Sequence, residues 1–133
     1  VIFKFLKSII DDDPITIYGD GNQTRDFTYV SDVANALIKS TKSKGYEIFN
    51  VGGGNAITVN NLVTVIQNYL SKKATINFID RDPSDIEHSL ADISKIKNLL
   101  NWQPMINIDS GVKETGDWFL NNLDFISSIK LQD

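Results

Sequence analysis

Two arginines, one carboxylate and a glycine run are the residues of this chain whose types and spacing suggest chemistry. Arg25 lies in Gly19-Asp20-Gly21-Asn22-Gln23-Thr24-Arg25-Asp26-Phe27, between a turn and an aromatic extended segment. A guanidinium fork there can hold phosphate oxygens in a bidentate manner. The bland alternative is a surface arginine pairing with Asp20 or Asp26, and composition does not choose. Arg81 and Asp85 share a polar run, Asp80 to Ser89. Arg81 could make a second anion contact and Asp85 could accept hydrogen bonds from sugar hydroxyls; a solvated loop is the alternative, and periodicity does not decide. Gly52-Gly53-Gly54 follows a strand pattern and precedes a helix pattern, superficially like a dinucleotide-binding turn. The G-x-G-x-x-G spacing requires a glycine at position 57, where Ile57 stands. The run reads better as a strand-to-helix turn needing φ > 0, although a helix opening at Thr58 would offer N–H groups to a nearby anion.

Other titratable groups carry less. His88 is the single histidine and has no evident partner, so a structural or exposed role is favoured over a general base. Tyr29 and Tyr46 lack a lysine four residues on. Tyr69 and Lys73 have that spacing, but Tyr69 falls on the apolar face of a helix and reads as core.

Composition bounds the function. The chain has 133 residues, 41% hydrophobic and 23% charged, which suits one domain with one core. Thirteen Lys and Arg against 17 Asp and Glu give a net charge of −4, which argues against a nonspecific nucleic-acid binder. Cysteine is absent, which excludes disulfides, thiolate metal sites and a Cys nucleophile; one histidine excludes a His-rich zinc site, so no metal is expected. No apolar run approaches the ~20 residues of a membrane span, and no signal peptide opens the chain. A cytoplasmic protein without a membrane partner is the expectation. The first residue is Val1 rather than Met, which suggests a piece of something longer.

The elements that must position these residues follow from pattern. Phe3, Leu6, Ile9 and Ile10 recur at helical spacing, and Asp11-Asp12-Asp13-Pro14 stops that helix. Ile15 to Tyr18 reads as a strand, and Asp26 to Val30 as a second extended piece. Ser31 is placed to cap a helix over Asp32 to Ile38, with Lys39, Lys42 and Lys44 at its C-terminal end and Gly45 closing it. Tyr46-Glu47-Ile48-Phe49-Asn50-Val51 is the strongest strand pattern in the chain. Thr58 predicts a cap for a helix with Leu62, Val63, Ile66, Tyr69 and Leu70 on one face. Ile76 to Ile79 is a short strand, and 80 to 88 a loop. Asp92 predicts a cap for a helix carrying Ile93, Ile96, Leu99 and Leu100, ended by Asn101-Trp102-Gln103-Pro104. A last helix spans about Asp109 to Asn122, with Val112, Phe119 and Leu123 at helical spacing. The class is mixed α/β, a small domain of short strands and helices. So few strands leave faces that another domain must cover.

The motifs then show a resemblance. Ile17-Tyr18-Gly19-Asp20-Gly21-Asn22-Gln23-Thr24-Arg25-Asp26-Phe27-Thr28-Tyr29-Val30-Ser31-Asp32-Val33 resembles a segment of the NAD-dependent sugar-nucleotide epimerases and dehydratases, extended members of the short-chain dehydrogenase/reductase superfamily. The likeness continues in order through Phe49 to Gly54, Ser84 to Lys95 and Leu99 to Pro104. The wording His88-Ser89-Leu90-Ala91-Asp92-Ile93-Ser94-Lys95 is most like the UDP-glucuronate and UDP-N-acetylglucosamine 4-epimerases of polysaccharide synthesis.

The resemblance implies that residues 1–133 are the C-terminal, nucleotide-sugar-binding domain of a larger enzyme. The family's N-terminal Rossmann domain carries the Gly-rich NAD loop and the catalytic Tyr-x-x-x-Lys pair, so this chain alone is expected to be inactive and to bind no NAD tightly. The family's phosphate-binding arginine falls on Arg25. The base-packing residue falls on Tyr18 with Thr16 beside it, and a further position near the nucleotide on Val59. The carboxylate for the ribose hydroxyls falls on Asp85, with Ser89 at a neighbouring contact. One departure is local: the family places Arg three residues before that carboxylate and Gly immediately before it. Here Asp82 and Ser84 hold those positions and Arg81 is displaced by one. The implied parent is an NAD-dependent 4-epimerase, commonly a homodimer, which oxidises C4 of the hexose and reduces it from the opposite face. A dTDP-glucose 4,6-dehydratase, a UDP-glucuronate decarboxylase and a non-catalytic nucleotide-sugar-binding domain are the rivals.

Overall fold

The first helix presents one apolar face, and the main core is built on it. The computed structural model describes residues 1–129. Helix α1 (Ile2–Ile10) buries Phe5, Leu6 and Ile9. Strand β1 (Ile15–Tyr18) alternates in the manner of a half-covered strand, with Ile15 and Ile17 inward and Thr16 and Tyr18 outward. Helix α3 (Val59–Leu70) adds Leu62, Val63 and Ile66, and α5 (Ile108–Asn121) adds Val112 and Phe119. The rings of Phe3 and Phe119 meet with centroids 4.9 Å apart and planes tilted by 59°. Gly116 lets α5 approach α3 closely, because a Cβ there would overlap the Tyr69 ring.

Two small sheets complete the frame. β1 pairs in parallel with β4 (Ile76–Ile79), Ile15 opposite Ile76 and Tyr18 opposite Ile79. β2 (Thr24–Arg25) pairs antiparallel with β3 (Ile57–Thr58), Arg25 opposite Ile57. A second, smaller core gathers Ala36 of α2 (Val30–Ser40), Ile96 of α4 (Ser94–Leu100) and Trp102, with Phe49 and Val51 packed against them. A short α6 (Leu123–Ser127) follows α5 and buries Ile126.

Most expected elements form, and several boundaries are corrected. Helix α2 starts one residue before Ser31 with Tyr29 as its N-cap residue, and Ser31 makes no cap. Asp32, in the first turn of α2, reaches across the fold. It is 4% exposed, and its Oδ2 accepts from the backbone N–H groups of Met105 and Ile106 at 3.1 and 3.0 Å. Its carbonyl accepts from Trp102 Nε1. α2 ends at Ser40, so Lys42 and Lys44 lie beyond it and Gly45 (φ +77°) turns the chain after the helix has stopped. Asp92 acts from one position earlier than a regular N-cap: Oδ1 accepts from Ser94 N at 2.9 Å, while Ile93 is the N-cap residue. The cap of α5 is Asn107, whose Oδ1 accepts from Ser110 N. Leu123 lies outside α5 and is partly exposed.

The largest difference concerns Tyr46 to Val51, which forms no strand. Phe49 and Val51 pack into the smaller core, but the backbone pairs with no neighbouring strand among the described residues, and a strand exists only where its N–H and C=O groups meet another. Tyr46 is 86% and Ile48 64% exposed. On α2 the outward stripe of Val30, Leu37 and Ile38 is also apolar and exposed. The sequence pattern of a buried element is therefore present without its cover.

Candidate functional site

A turn, a two-residue strand and a loop meet above the N-terminus of α3. The turn at Gly19 and Gly21 (φ +74° and +78°) is closed by Asp20, whose carboxylate accepts from the backbone and side chain of Asn22 at 2.9 and 2.7 Å. These hydrogen bonds hold the Asp20 carboxyl below its ordinary range, with a smaller contribution from the nearby Arg81 guanidinium. Gly21 is required by close approach as well as by φ, since a Cβ there would run into the Asn60 side chain.

Gln23 ties this turn to the strand. It is 7% exposed; its Nε2 donates to Tyr18 O at 2.7 Å and its backbone carbonyl accepts from Val59 N at 3.1 Å. Sequence reasoning misses Gln23, because a buried amide and a solvated one look alike in a polar run. The first N–H groups of α3 are consumed: Val59 N donates to Gln23 O, Asn60 N to Gly21 O at 3.1 Å, and Asn61 N to the capping Thr58 Oγ1 at 3.1 Å. Thr58 is thus the cap that its position predicts. The expected free anion-binding N–H groups are not there, because the backbone of the turn has taken them.

Arg25 does not pair with Asp20 or Asp26. Its Nη2 donates to Asp85 Oδ1 at 2.6 Å and its Nη1 to Thr24 O at 2.8 Å. Arg81 comes to the same place. Its Nη2 donates to the carbonyl of Asp85 at 2.7 Å, its stem lies along Gly19, and its Nη1 stands 3.7 Å from Glu87 Oε2. The displaced register of the loop therefore still brings a second guanidinium beside Asp85. His88 joins the cluster through its neighbour, with Nδ1 3.2 Å from Thr24 Oγ1 and a backbone bridge to Thr24. Ser89 N donates to Thr24 O at 3.2 Å, which places exposed Ser89 next to the Arg25 strand.

The remaining expected site residues divide. Tyr18 and Thr16 share the outward face of β1, and Tyr18 leads into the turn against which Arg81 packs. Val59 is 8% exposed and belongs to the main core, so its side chain offers a ligand little surface. Tyr69 is bonded to Asp117 Oδ1 at 2.8 Å and its hydroxyl is pushed up to about 12, chiefly by burial and then by that carboxylate. Both effects move its hydroxyl further from neutral pH, in keeping with a packing role. Tyr29 is bonded to Glu114, and burial followed by that contact raises its hydroxyl above the ordinary value.

The glycine run has a cause that spacing did not reveal. Only Gly54 of the three has positive φ (+70°). Gly52 and Gly53 are glycines because of what lies against them: a Cβ on Gly52 would stand 2.5 Å from both Asp26 Oδ2 and Ala91 Cβ, and one on Gly53 would overlap the carbonyl oxygen of Phe27. Asp26 Oδ2 accepts from Ala91 N at 3.2 Å, while Oδ1 is buried without a donor. Asp26, weighed in the sequence only as a partner for Arg25, instead ties the 80–91 segment to the Arg25 strand through Ala91 N and lies against the glycine run. With the glycines accounted for by Asp26 and Phe27, and the α3 N–H groups bonded internally, these residues do not fit a dinucleotide cofactor.

Two guanidinium groups thus meet at residue 85, Arg25 on its carboxylate and Arg81 on its backbone carbonyl, with the Glu87 carboxylate also beside Arg81; such a cluster can hold an anion that carries hydroxyl groups. The chain is similar to several known proteins. Residues 1–115 match the family model described as GDP-mannose 4,6 dehydratase. A UDP-glucuronate 4-epimerase of Thermodesulfobacterium geofontis is 45% identical over 131 residues, which are 98% of this chain and 41% of that protein. The UDP-glucose 4-epimerase of Thermotoga maritima, solved with UDP-glucose, superimposes with a TM-score of 0.87 at 28% identity, covering 92% of this chain and 40% of that one. The UDP-glucuronic acid 4-epimerase of Bacillus cereus, solved with UDP-glucuronic acid and NAD, gives 0.84 at 30% identity, covering 91% and 40%. The chain thus spans about two fifths of the length of these relatives.

Proposed function

The chain belongs to the GDP-mannose 4,6 dehydratase family, and on that premise we propose that it is the C-terminal, substrate-binding portion of an NAD-dependent nucleotide-sugar 4-epimerase acting on a UDP-hexose or UDP-uronate in polysaccharide synthesis. The observation that carries the reading is the convergence of Arg25 and Arg81 on Asp85. A nucleoside diphosphate brings about two negative charges and a pair of ribose hydroxyls, which two guanidinium groups and one carboxylate complement. Tyr18 and Thr16, outward on β1, flank the base; Ser89 lines the loop side. Val59, opening α3 beneath the turn with its N–H on Gln23 O, is the further position near the nucleotide.

NAD supplies the hydride chemistry in such an enzyme. It is held by the parent's N-terminal Rossmann domain, which also carries the Tyr-x-x-x-Lys pair, so this chain alone binds substrate without turning it over. That domain covers the exposed stripe of Val30, Leu37 and Ile38 with Tyr46 and Ile48, and the parent works as a cytoplasmic homodimer. With that stripe uncovered the chain is expected to self-associate on its own, and binding of an apolar dye together with sedimentation would check it.

Calorimetry with UDP tests the assignment. Wild-type chain binds UDP, and Arg25→Ala weakens binding by about tenfold or more. Equal heats from the two proteins remove Arg25 from the site. Assay of the full-length parent with UDP-glucuronate, UDP-glucose and dTDP-glucose separates a 4-epimerase from a decarboxylase or a 4,6-dehydratase.

A further inference from the structure

We propose that Asp85 is a specificity-determining residue: it occupies the Arg25 guanidinium as an internal anion, excluding simple phosphates, and yields it only to a ligand whose adjacent hydroxyls take the carboxylate over. The inference rests on the reading of Arg25 as a phosphate contact.

Three features of the loop carry it. The Arg25–Asp85 ion pair is close, 2.6 Å, yet the two side chains keep 28% and 34% of their surface, so an incoming anion can reach the pair. The backbone of residue 85 is held on both sides: its N–H donates to Asp82 O at 3.0 Å, and its carbonyl accepts from Arg81 at 2.7 Å. The Asp82 carboxylate in turn accepts from the backbone and hydroxyl of Ser84, which stiffens the turn. The carboxylate of Asp85 can therefore leave Arg25 by rotating its side chain, without unfolding the loop.

What happens to the released carboxylate sets the selectivity. Next to a newly bound phosphate it is a like charge at short range, which is unfavourable unless it gains hydrogen-bond donors. Pyrophosphate carries too few donors at neutral pH to compensate it. Two adjacent hydroxyls, as on a ribose, donate to both carboxylate oxygens and offset the lost ion pair. The loop thus discriminates by a repulsive element against bare anions, in addition to any attraction for the nucleotide. The Glu87 carboxylate, 3.7 Å from Arg81, acts in the same direction on the second guanidinium.

The test is calorimetry at low salt on the 133-residue chain, with inorganic pyrophosphate and with UDP as separate ligands. Asp85→Asn should bind pyrophosphate about five- to tenfold more tightly than wild type, from the loss of a partly exposed charge pair and of a like-charge contact. Asp85→Glu, which keeps the charge, should stay within about twofold of wild type, and the preference for UDP over pyrophosphate should fall about tenfold or more in Asp85→Asn. Asp85→Ser carries the same expectation as Asp85→Asn, and far-ultraviolet circular dichroism checks folding of each. Pyrophosphate affinities that are equal in wild type and both neutral variants, including no binding by any, overturn the proposal. Pyrophosphate tightening without any UDP binding by wild type supports the exclusion and overturns the nucleotide-sugar reading instead, so the two failures are distinct.

Discussion

Arg25 Nη2 and Asp85 Oδ1 stand 2.6 Å apart across 60 residues of chain, and this pair joins the two-residue strand β2 to the long polar loop. It is partly solvated, so its value for stability is small even though its geometry is close. A double-mutant cycle of Arg25→Ala and Asp85→Ala, read by urea unfolding, should give a coupling of about 0.5–1 kcal/mol that shrinks as salt is added. A coupling of zero at low salt would mean the pair does not persist in solution.

Gln23 should matter more than either charge. Its buried amide holds Tyr18 O, and its backbone carbonyl holds the first N–H of α3. Gln23→Leu leaves Tyr18 O without its donor at a part-buried position, which costs about 1–3 kcal/mol. The shift in the urea midpoint measures it. Because the turn carries Tyr18 and seats Arg81, UDP binding should weaken in the same variant.

Two glycine substitutions should separate close approach from backbone conformation. At Gly45 a Cβ meets nothing within 4 Å but φ is +77°, so Gly45→Ala should cost about 1 kcal/mol from strain alone. At Gly53 φ is unexceptional, but a Cβ would overlap Phe27 O and come within 2.7 Å of Asp26 Oδ1. Gly53→Ala must push the Arg25 strand away from the glycine run, and a loss of about 2–3 kcal/mol is expected, as for an overpacked core. Equal losses at the two positions would contradict the close approach.

The Tyr69–Asp117 bond predicts an alkaline limit to stability. Burial and Asp117 raise the Tyr69 hydroxyl to about 12 from an unfolded value of 10. The folded chain therefore holds a proton that the unfolded chain releases, so stability is fully present below pH 10 and is lost as pH rises through 12. In Tyr69→Phe this slope should flatten, with about 1 kcal/mol lost at neutral pH from the missing hydrogen bond. Urea unfolding from neutral pH up to pH 12 checks both, and the tyrosinate absorbance at high pH should show a late-titrating residue that the substitution removes.

Periodicity was enough to locate α1, β1, α3, α4 and α5, because each buries one face whose apolar spacing is written locally, whereas β4 is legible from its β-rich composition although it is largely exposed and α6 has no such pattern. The cap at Thr58 was legible for the same reason. Ser31 misled because a serine before an acidic turn looks like a cap whether or not the helix has already begun, and Asp32 is held by partners more than 70 residues away. Tyr46 to Val51 misled in the opposite way: its residues have strand character, but pairing is a property of two segments, and the second is not among those described.

At the site, residue types made Arg25, Arg81 and Asp85 candidates, the two arginines being the only ones in the chain, but the choice between anion contacts and solvated surface groups came from the family resemblance. The sequence could also exclude: it contains no thiolate, no histidine cluster and no dinucleotide glycine spacing. Tertiary structure alone decided that Arg25 faces Asp85 rather than Asp20 or Asp26, that Val59 turns inward, and that Gln23 and Asp26 are the fasteners. Contacts of that kind depend on distances between segments far apart in the chain, and a linear pattern encodes only distances between neighbours.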